Sequence, residues 1–184
     1  MFQSNTYMRS GLKAKIILLL TAIVFGSFSY GPTAPSGLEG NEYQIKAMFV
    51  FNFTKYVEWP DSKSNDVFTI GVVGESDIIE PLERIASQKK AGDRKIVIRS
   101  LSPEDEDYCN IIIVSRSKLN KLEQTEKKYA GKGVLIISDE AQRSAAINLV
   151  TRDNKIRFEV NQSLAKSGGV KISSQLLSLA VEVH

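Results

Sequence analysis

The residues whose types and spacing come nearest to doing chemistry run from Val134 to Glu140, an apolar Val-Leu-Ile-Ile-Ser stretch closed by Asp139 and Glu140. An apolar strand ending in an acidic pair is how nucleotide hydrolases hold magnesium, and Gln142 extends the imitation. That chemistry also needs a glycine loop with Lys and Ser or Thr to cradle phosphate. Gly131-Lys132-Gly133 is too short to be one and precedes a strand rather than a helix. Asp139 and Glu140 therefore read as strand-end carboxylates in a loop.

Nucleophilic and metal chemistry fare no better. The sequence contains one cysteine, Cys109, and one histidine, His184. His184 ends the sequence, where residues tend to be poorly ordered. Neither a Cys/His nucleophile pair nor a histidine-rich zinc site is expected from them. Carboxylate-only chemistry, as in glycoside hydrolysis, has 21 acidic side chains to draw on, but no spacing singles out a pair. No catalytic, cofactor or metal residues are assigned. The runs Glu104 to Asp107 and Lys89-Lys90 read as solvated faces.

The stretch Ile156-Arg157-Phe158-Glu159-Val160-Asn161 is richer. Strand alternation puts Ile156, Phe158 and Val160 on one face and Arg157, Glu159 and Asn161 on the other. Arg157 and Glu159, two apart on one face, either pair with each other or, with Lys171, shape a recognition surface for a protein or small ligand. Asn161, Lys171 and Ser173 at the adjoining turns complete the candidate surface.

The elements that must position these residues begin with Tyr43 to Pro60. Ile45, Met48, Phe49, Phe53, Tyr56 and Val57 recur at helical spacing, and Ala47, Val50 and Phe51 fill much of the remaining circumference. A helix apolar on most sides is usually buried in a fold or a membrane. Lys46, Asn52, Lys55 and Glu58 interrupt it well before a span of about 20 apolar residues, so it reads as a core helix. Pro60 ends it at Trp59, which is either buried or a partial surface anchor.

Val67–Val73 and Lys95–Leu101 read as strands, with an amphipathic helix over Asp77–Lys90 between them. Ser102 to Glu106 suits one helical turn. Asn110–Val114 and Val134–Ser138 read as buried strands flanking a charged helix, Ser117–Tyr129. Short apolar strands alternating with helices argue for a largely parallel sheet covered on both sides, an α/β three-layer sandwich. Ala145–Thr151 and Lys155–Val160, linked by Arg152-Asp153-Asn154, form an antiparallel hairpin, because Asp-Asn tolerates the positive φ such turns demand. Asn161 caps a brief helix ended by Gly168-Gly169. A final helix starts at Ser173 or Ser174 and buries Leu176, Leu177, Ala180 and Val181.

Arg9, Lys13 and Lys15, the apolar stretch Ile16–Phe25, and the small or polar Gly26, Ser27 and Ser29 are the three parts of a secretory signal peptide. Cleavage is expected after Ser29. Residues 30–41, rich in Gly and Pro, read as a flexible lead-in, and 42–184 as one domain. The formal charge of +3 resides in Arg9, Lys13 and Lys15, and the leader has no acid. The mature chain is formally neutral and has no electrostatic footprint for nucleic acid. A lone Cys109 forms no intrachain disulfide, and beside Ile111–Val114 it reads as a small buried hydrophobe.

Three ordered segments carry a resemblance: Tyr43 to Pro60 (with Phe-Asn-Phe-Thr-Lys-Tyr-Val-Glu-Trp-Pro the most specific), Cys109 to Ser115, and Ile156 to Asn161 with Gly168 to Leu177. Together they resemble the YfiR family of periplasmic proteins over Glu42 to Val183. The resemblance implies a compact Rossmann-like, exported, non-catalytic domain that forms a homodimer. It further implies a periplasmic regulator that binds the outer part of a membrane-anchored diguanylate cyclase and lowers cyclic-di-GMP production, governing attachment and biofilm behaviour. A peptidoglycan-binding lipoprotein of the outer membrane would sequester it. The family namesake's disulfides have no counterpart here, since Cys109 stands alone. Two other readings remain open: a periplasmic small-molecule receptor, binding near Gly74-Glu75-Ser76, Ser115 and Ser138-Asp139, and an exported hydrolase.

Overall fold

Ala47, Val50 and Phe53 are fully buried on the first helix, α1 (Glu39–Tyr56), as its near-continuous apolar surface demands. The structure, a computed structural model, describes residues 39–60, 66–142 and 145–184. The expected leader, and the lead-in up to residue 38, lie outside the described residues. α1 stops three residues short of the expected exit, because Val57 and Glu58 form a short strand, β1, that pairs antiparallel with Ile172 and Lys171. Trp59 then turns inward: its indole N–H donates to the Asn110 carbonyl at 3.0 Å, and its ring meets Phe68 edge-on at 5.0 Å.

The next strand, β2 (Val67–Val73), is buried from Phe68 onward and lies centrally in the sheet. Helix α2 (Ile79–Gln88) returns the chain with Leu82 buried. Lys90–Ala91 (β3) and Arg94–Leu101 (β4) form a hairpin about Gly92, whose φ of +60° suits glycine. Lys90 is thus an edge-strand residue, a placement the alternation of apolar residues did not announce. The expected helical turn after β4 is an ordinary turn, in which Asp105 accepts from the backbone N–H of Ser102 at 2.8 Å. Strand β5 (Ile111–Val114) is wholly buried. The expected charged helix divides into a 3-10 segment, Arg116–Lys121, and α3 (Leu122–Tyr129), with a kink at Lys118. Strand β6 (Leu135–Asp139) comes next, also wholly buried.

Strands β7 (Ile147–Arg152) and β8 (Lys155–Val160) form the expected hairpin, with Asp153 and Asn154 at φ of 49° and 59°. Asn161 caps α4 (Gln162–Gly168) by accepting from the Leu164 N–H, and Gly169 ends it in the left-handed region at φ 83°. Lys171–Ile172 is β9, the partner of β1. The last helix, α5 (Ser174–Leu177), is one turn rather than several. Beyond it the chain lays Glu182–Val183 (β10) beside β8, so Val181 is exposed rather than core-facing.

The sheet runs β10-β8-β7-β6-β5-β2-β4-β3. Its parallel part, β4-β2-β5-β6-β7, is the doubly wound order 2-1-3-4-5. Alternation sorts the side chains into two layers. Ile111 and Ile113 share one core with Ala47 and Phe53 of α1 and Leu82 of α2, while Ile112 and Val114 share another with Leu122 and Tyr129 of α3. The fold is an α/β Rossmann-like sandwich with a C-terminal antiparallel hairpin, as the sequence pattern and the resemblance predict. One stagger matters for function. Ladder β6–β7 runs only from Ile137↔Ile147 to Asp139↔Leu149, so β7 and its hairpin overhang the carboxyl end of the sheet.

Candidate functional site

At that carboxyl end, α1 delivers Lys46 into the fold with no exposed surface. A buried ammonium is costly unless it is paired and hydrogen-bonded. Lys46 is paired three times: with Glu42 one helical turn earlier at 2.6 Å, with Asp139 in a very short contact, and with Glu140 at 3.7 Å. Arg116, arriving from the end of β5, adds a second cation. It contacts Glu42, Asp139 at 3.5 Å and Glu140 at 3.5 Å. The Tyr43 ring lies 5.5 Å from the Lys46 ammonium and 5.9 Å from the Arg116 guanidinium.

The charges shift their neighbours in a consistent way. Burial alone would raise the Glu42 carboxyl, but Lys46 and Arg116 outweigh it and hold Glu42 below its ordinary range. Burial likewise works against a charged Arg116, yet Asp139 and Glu42 raise it further. Burial pushes the Tyr43 phenol up, with Asp139 adding to it. Asp139 thus closes the strand rather than lying in a loop, while Glu140 stands in the bend that follows, as its sequence setting suggests. Asp139 is buried at the end of β6, and Glu140 adopts φ 59° and accepts from the Thr151 hydroxyl at 2.6 Å. Sequence reasoning missed this network. Its trace was there: a lysine inside an otherwise apolar helix, and an acidic pair closing an apolar strand.

Of the five residues singled out from the sequence, Glu159 and Asn161 line one cleft, and Arg157, Lys171 and Ser173 lie apart from it. Glu159 is buried and stands opposite Asn148 in register. Its Oε2 accepts from Asn148 Nδ2 at 3.1 Å and its Oε1 from Arg152 at 2.7 Å. Its ion-pair partner is thus Arg152 on β7 rather than Arg157 two residues along its own strand. Arg157, opposite Val150, projects to the surface. Asn161 and Ser173 are helix caps, accepting from Leu164 and Leu176 N–H groups at 3.0 and 3.3 Å. Lys171 is exposed and pairs with Glu58 at 3.2 Å across β1–β9.

Two concave surfaces adjoin these residues, one containing Glu159 and the other floored by Phe158, which alternates to the opposite face of β8. Glu159 and Asn161 line a cleft of about 790 Å³ beneath the overhanging hairpin, with Glu140, Arg152, Glu182 and His184. Arg157 instead borders a smaller groove of about 310 Å³, lined by Phe49, Phe53, Tyr56, Phe158, Leu176 and Leu179. Strand β10 pairs with Glu159 and Val160, and the Val181 N–H donates to the Phe158 carbonyl at 3.0 Å, so this pairing stops just short of Arg157. Phe158 sits edge-on to Phe49 and Phe53 at 5.5 and 5.2 Å and forms the groove's floor.

Both surfaces combine charged and apolar side chains. Burial pushes the Cys109 thiol up to about 11, which leaves it protonated and a poor nucleophile. The His184 ring is partly exposed beside Glu182 at 3.5 Å. Among the described residues no three His, Cys, Asp or Glu side chains are placed to hold a metal ion, and no helix is long and apolar enough to cross a membrane.

No match is found among curated proteins. Residues 43–181, which hold the Arg157 groove and all of the buried charge network except Glu42, match the family described as YfiR/HmsC-like. That family comprises periplasmic regulators of cyclic-di-GMP signalling rather than known enzymes, and its members generally bind the periplasmic domain of a membrane diguanylate cyclase. The chain belongs to the YfiR/HmsC-like family.

Proposed function

We propose that this protein is an exported periplasmic regulator that represses a membrane-anchored diguanylate cyclase by direct contact, and that the contact is centred on the groove beside Arg157. Family membership supplies the signalling context. The observation that carries the location is the groove itself, where exposed Arg157 borders an apolar floor and Leu179, 60% exposed, forms part of the wall. An apolar anchor in a groove with a charged rim is the usual anatomy of a contact hot spot. α1 and β8 hold the floor rigid, because Phe53 and Phe158 are core residues as well as lining.

In this reading the leader over residues 1–29 exports the chain, and a lipoprotein of the outer membrane that sequesters the protein relieves repression. The direct test is crosslinking in the envelope of the native cell followed by mass spectrometry. A membrane diguanylate cyclase recovered with peptides linked near Arg157 or Leu179 is the expected result. Its absence, with crosslinks only to unrelated envelope proteins, contradicts the proposal.

A further inference from the structure

The cleft under the β7–β8 hairpin is separate from the groove that Arg157 borders, whose Phe158 floor lies on the other face of the same strand. Its floor is the Glu159 carboxylate, whose position is fixed from behind. Asn148 Nδ2 donates to Glu159 and also to the Ala141 carbonyl at 3.0 Å, while Asn148 Oδ1 accepts from Ser138 at 2.8 Å. Among the described residues, the cation on this carboxylate is Arg152, from the end of the overhanging strand, with its side chain 60% exposed. An exposed arginine gains little from such a pair, because solvent competes and the long side chain must be held still. Glu159, by contrast, is buried and needs a cation. The pair joins a fixed anion to a displaceable counter-ion.

The rest of the described lining mixes carboxylates with apolar and neutral polar side chains and His184. Glu140, paired with Arg116 at 3.5 Å, and Glu182, beside His184 at 3.5 Å, add two carboxylates, Val150 and Leu164 add apolar surface, and Arg152 is the single guanidinium among the described lining residues. A volume of about 790 Å³ is in the range of small-ligand sites. We propose that the cleft binds a small alkyl guanidinium, whose head replaces Arg152 on Glu159 and whose stem lies along Val150 and Leu164. Arg152 shows the chemistry that the carboxylate accepts, since it is the chain's own guanidinium at the site. The proposal goes beyond cyclase repression and stands or falls on the purified protein alone.

Titration calorimetry of the full chain with agmatine tests it. Arg152→Ala removes the internal competitor, so agmatine is expected to bind at least threefold tighter than to the wild type. Glu159→Gln removes the floor charge and is expected to weaken binding at least tenfold, with its thermal melting compared to the wild type to confirm folding. Glu182→Gln, at the exposed rim, is a second variant that does not touch the buried network, and it is expected to weaken binding about twofold, a smaller loss than Glu159→Gln produces. Three outcomes overturn the proposal: no binding to wild type and Arg152→Ala at about 10 mM agmatine, equal binding to folded Glu159→Gln, or unchanged or weaker binding to Arg152→Ala. Tighter binding of a capped Gly-Arg-Gly peptide than of agmatine overturns the assignment to a free small molecule.

Discussion

Lys46 and Asp139, 93 residues apart in the chain, meet as a buried ion pair that fastens α1 to the carboxyl end of β6. The pair joins the segment that identifies the family to the strand end beside the candidate cleft. Desolvating both partners offsets much of their attraction, so the pair adds little net stability compared with an apolar replacement. Its loss on one side only is different, because it strands a buried charge.

Lys46→Met should therefore destabilise the fold by about 3 kcal/mol, a little moderated by Arg116 on the other oxygen of Asp139. Lys46→Met with Asp139→Leu should recover most of that loss. Urea unfolding of both variants checks it. Equal stability of Lys46→Met and wild type would show that the ammonium is not buried as described.

Acid should loosen the same network, and the sign is set by Glu42. Its carboxyl lies below the ordinary 4.5, against the effect of its burial, because of Lys46 and Arg116. A depressed carboxyl contributes stability that is present above about pH 4.5 and is lost as pH falls through its folded value. The fall in urea midpoint between about pH 6 and pH 3 should be smaller for Glu42→Gln than for wild type. Parallel curves would remove Glu42 from the acid response.

Much of the fold was legible because it depends on local rules. The 153–154 turn needs residues that tolerate positive φ, and Asp-Asn supplies them. Asn161 and Gly169 bracket α4 as a cap pair should. What failed depends on distant partners. The last helix stops at Leu177 because the chain then pairs with β8, and α1 stops at Tyr56 because Val57 pairs with β9. The same limit applied to the sites. Two-residue spacing puts Arg157 and Glu159 on one face, but only the register of β7 reveals that Arg152 takes the carboxylate. Lys46 was visible as an interruption of an apolar helix, yet its three acidic partners come together only through the fold.

Cys109 should behave as an inert core residue. It is fully buried, with its thiol pushed up to about 11. Ellman's reagent at about pH 8 should leave native protein unlabelled over an hour, whereas protein unfolded in urea reacts promptly. Prompt labelling of the native fold would put a redox role for this thiol back in play.

Asn161 and Arg157 should separate folding from recognition, although both stand in one short motif. Asn161→Ala removes the α4 cap and should cost about 1 kcal/mol of stability, read from urea unfolding. Arg157→Glu, at an exposed position, should stay within about 0.5 kcal/mol of wild type while weakening recovery of the crosslinked partner. A large stability loss for Arg157→Glu would make it a structural residue.

The most direct test of the central claim is the cyclic-di-GMP content of cells lacking this protein, complemented with wild type or with Arg157→Glu. The account predicts that deletion raises cyclic-di-GMP, wild type restores the low level, and equally exported Arg157→Glu does not. Unchanged cyclic-di-GMP on deletion would contradict repression, and full restoration by Arg157→Glu would contradict the groove as the contact.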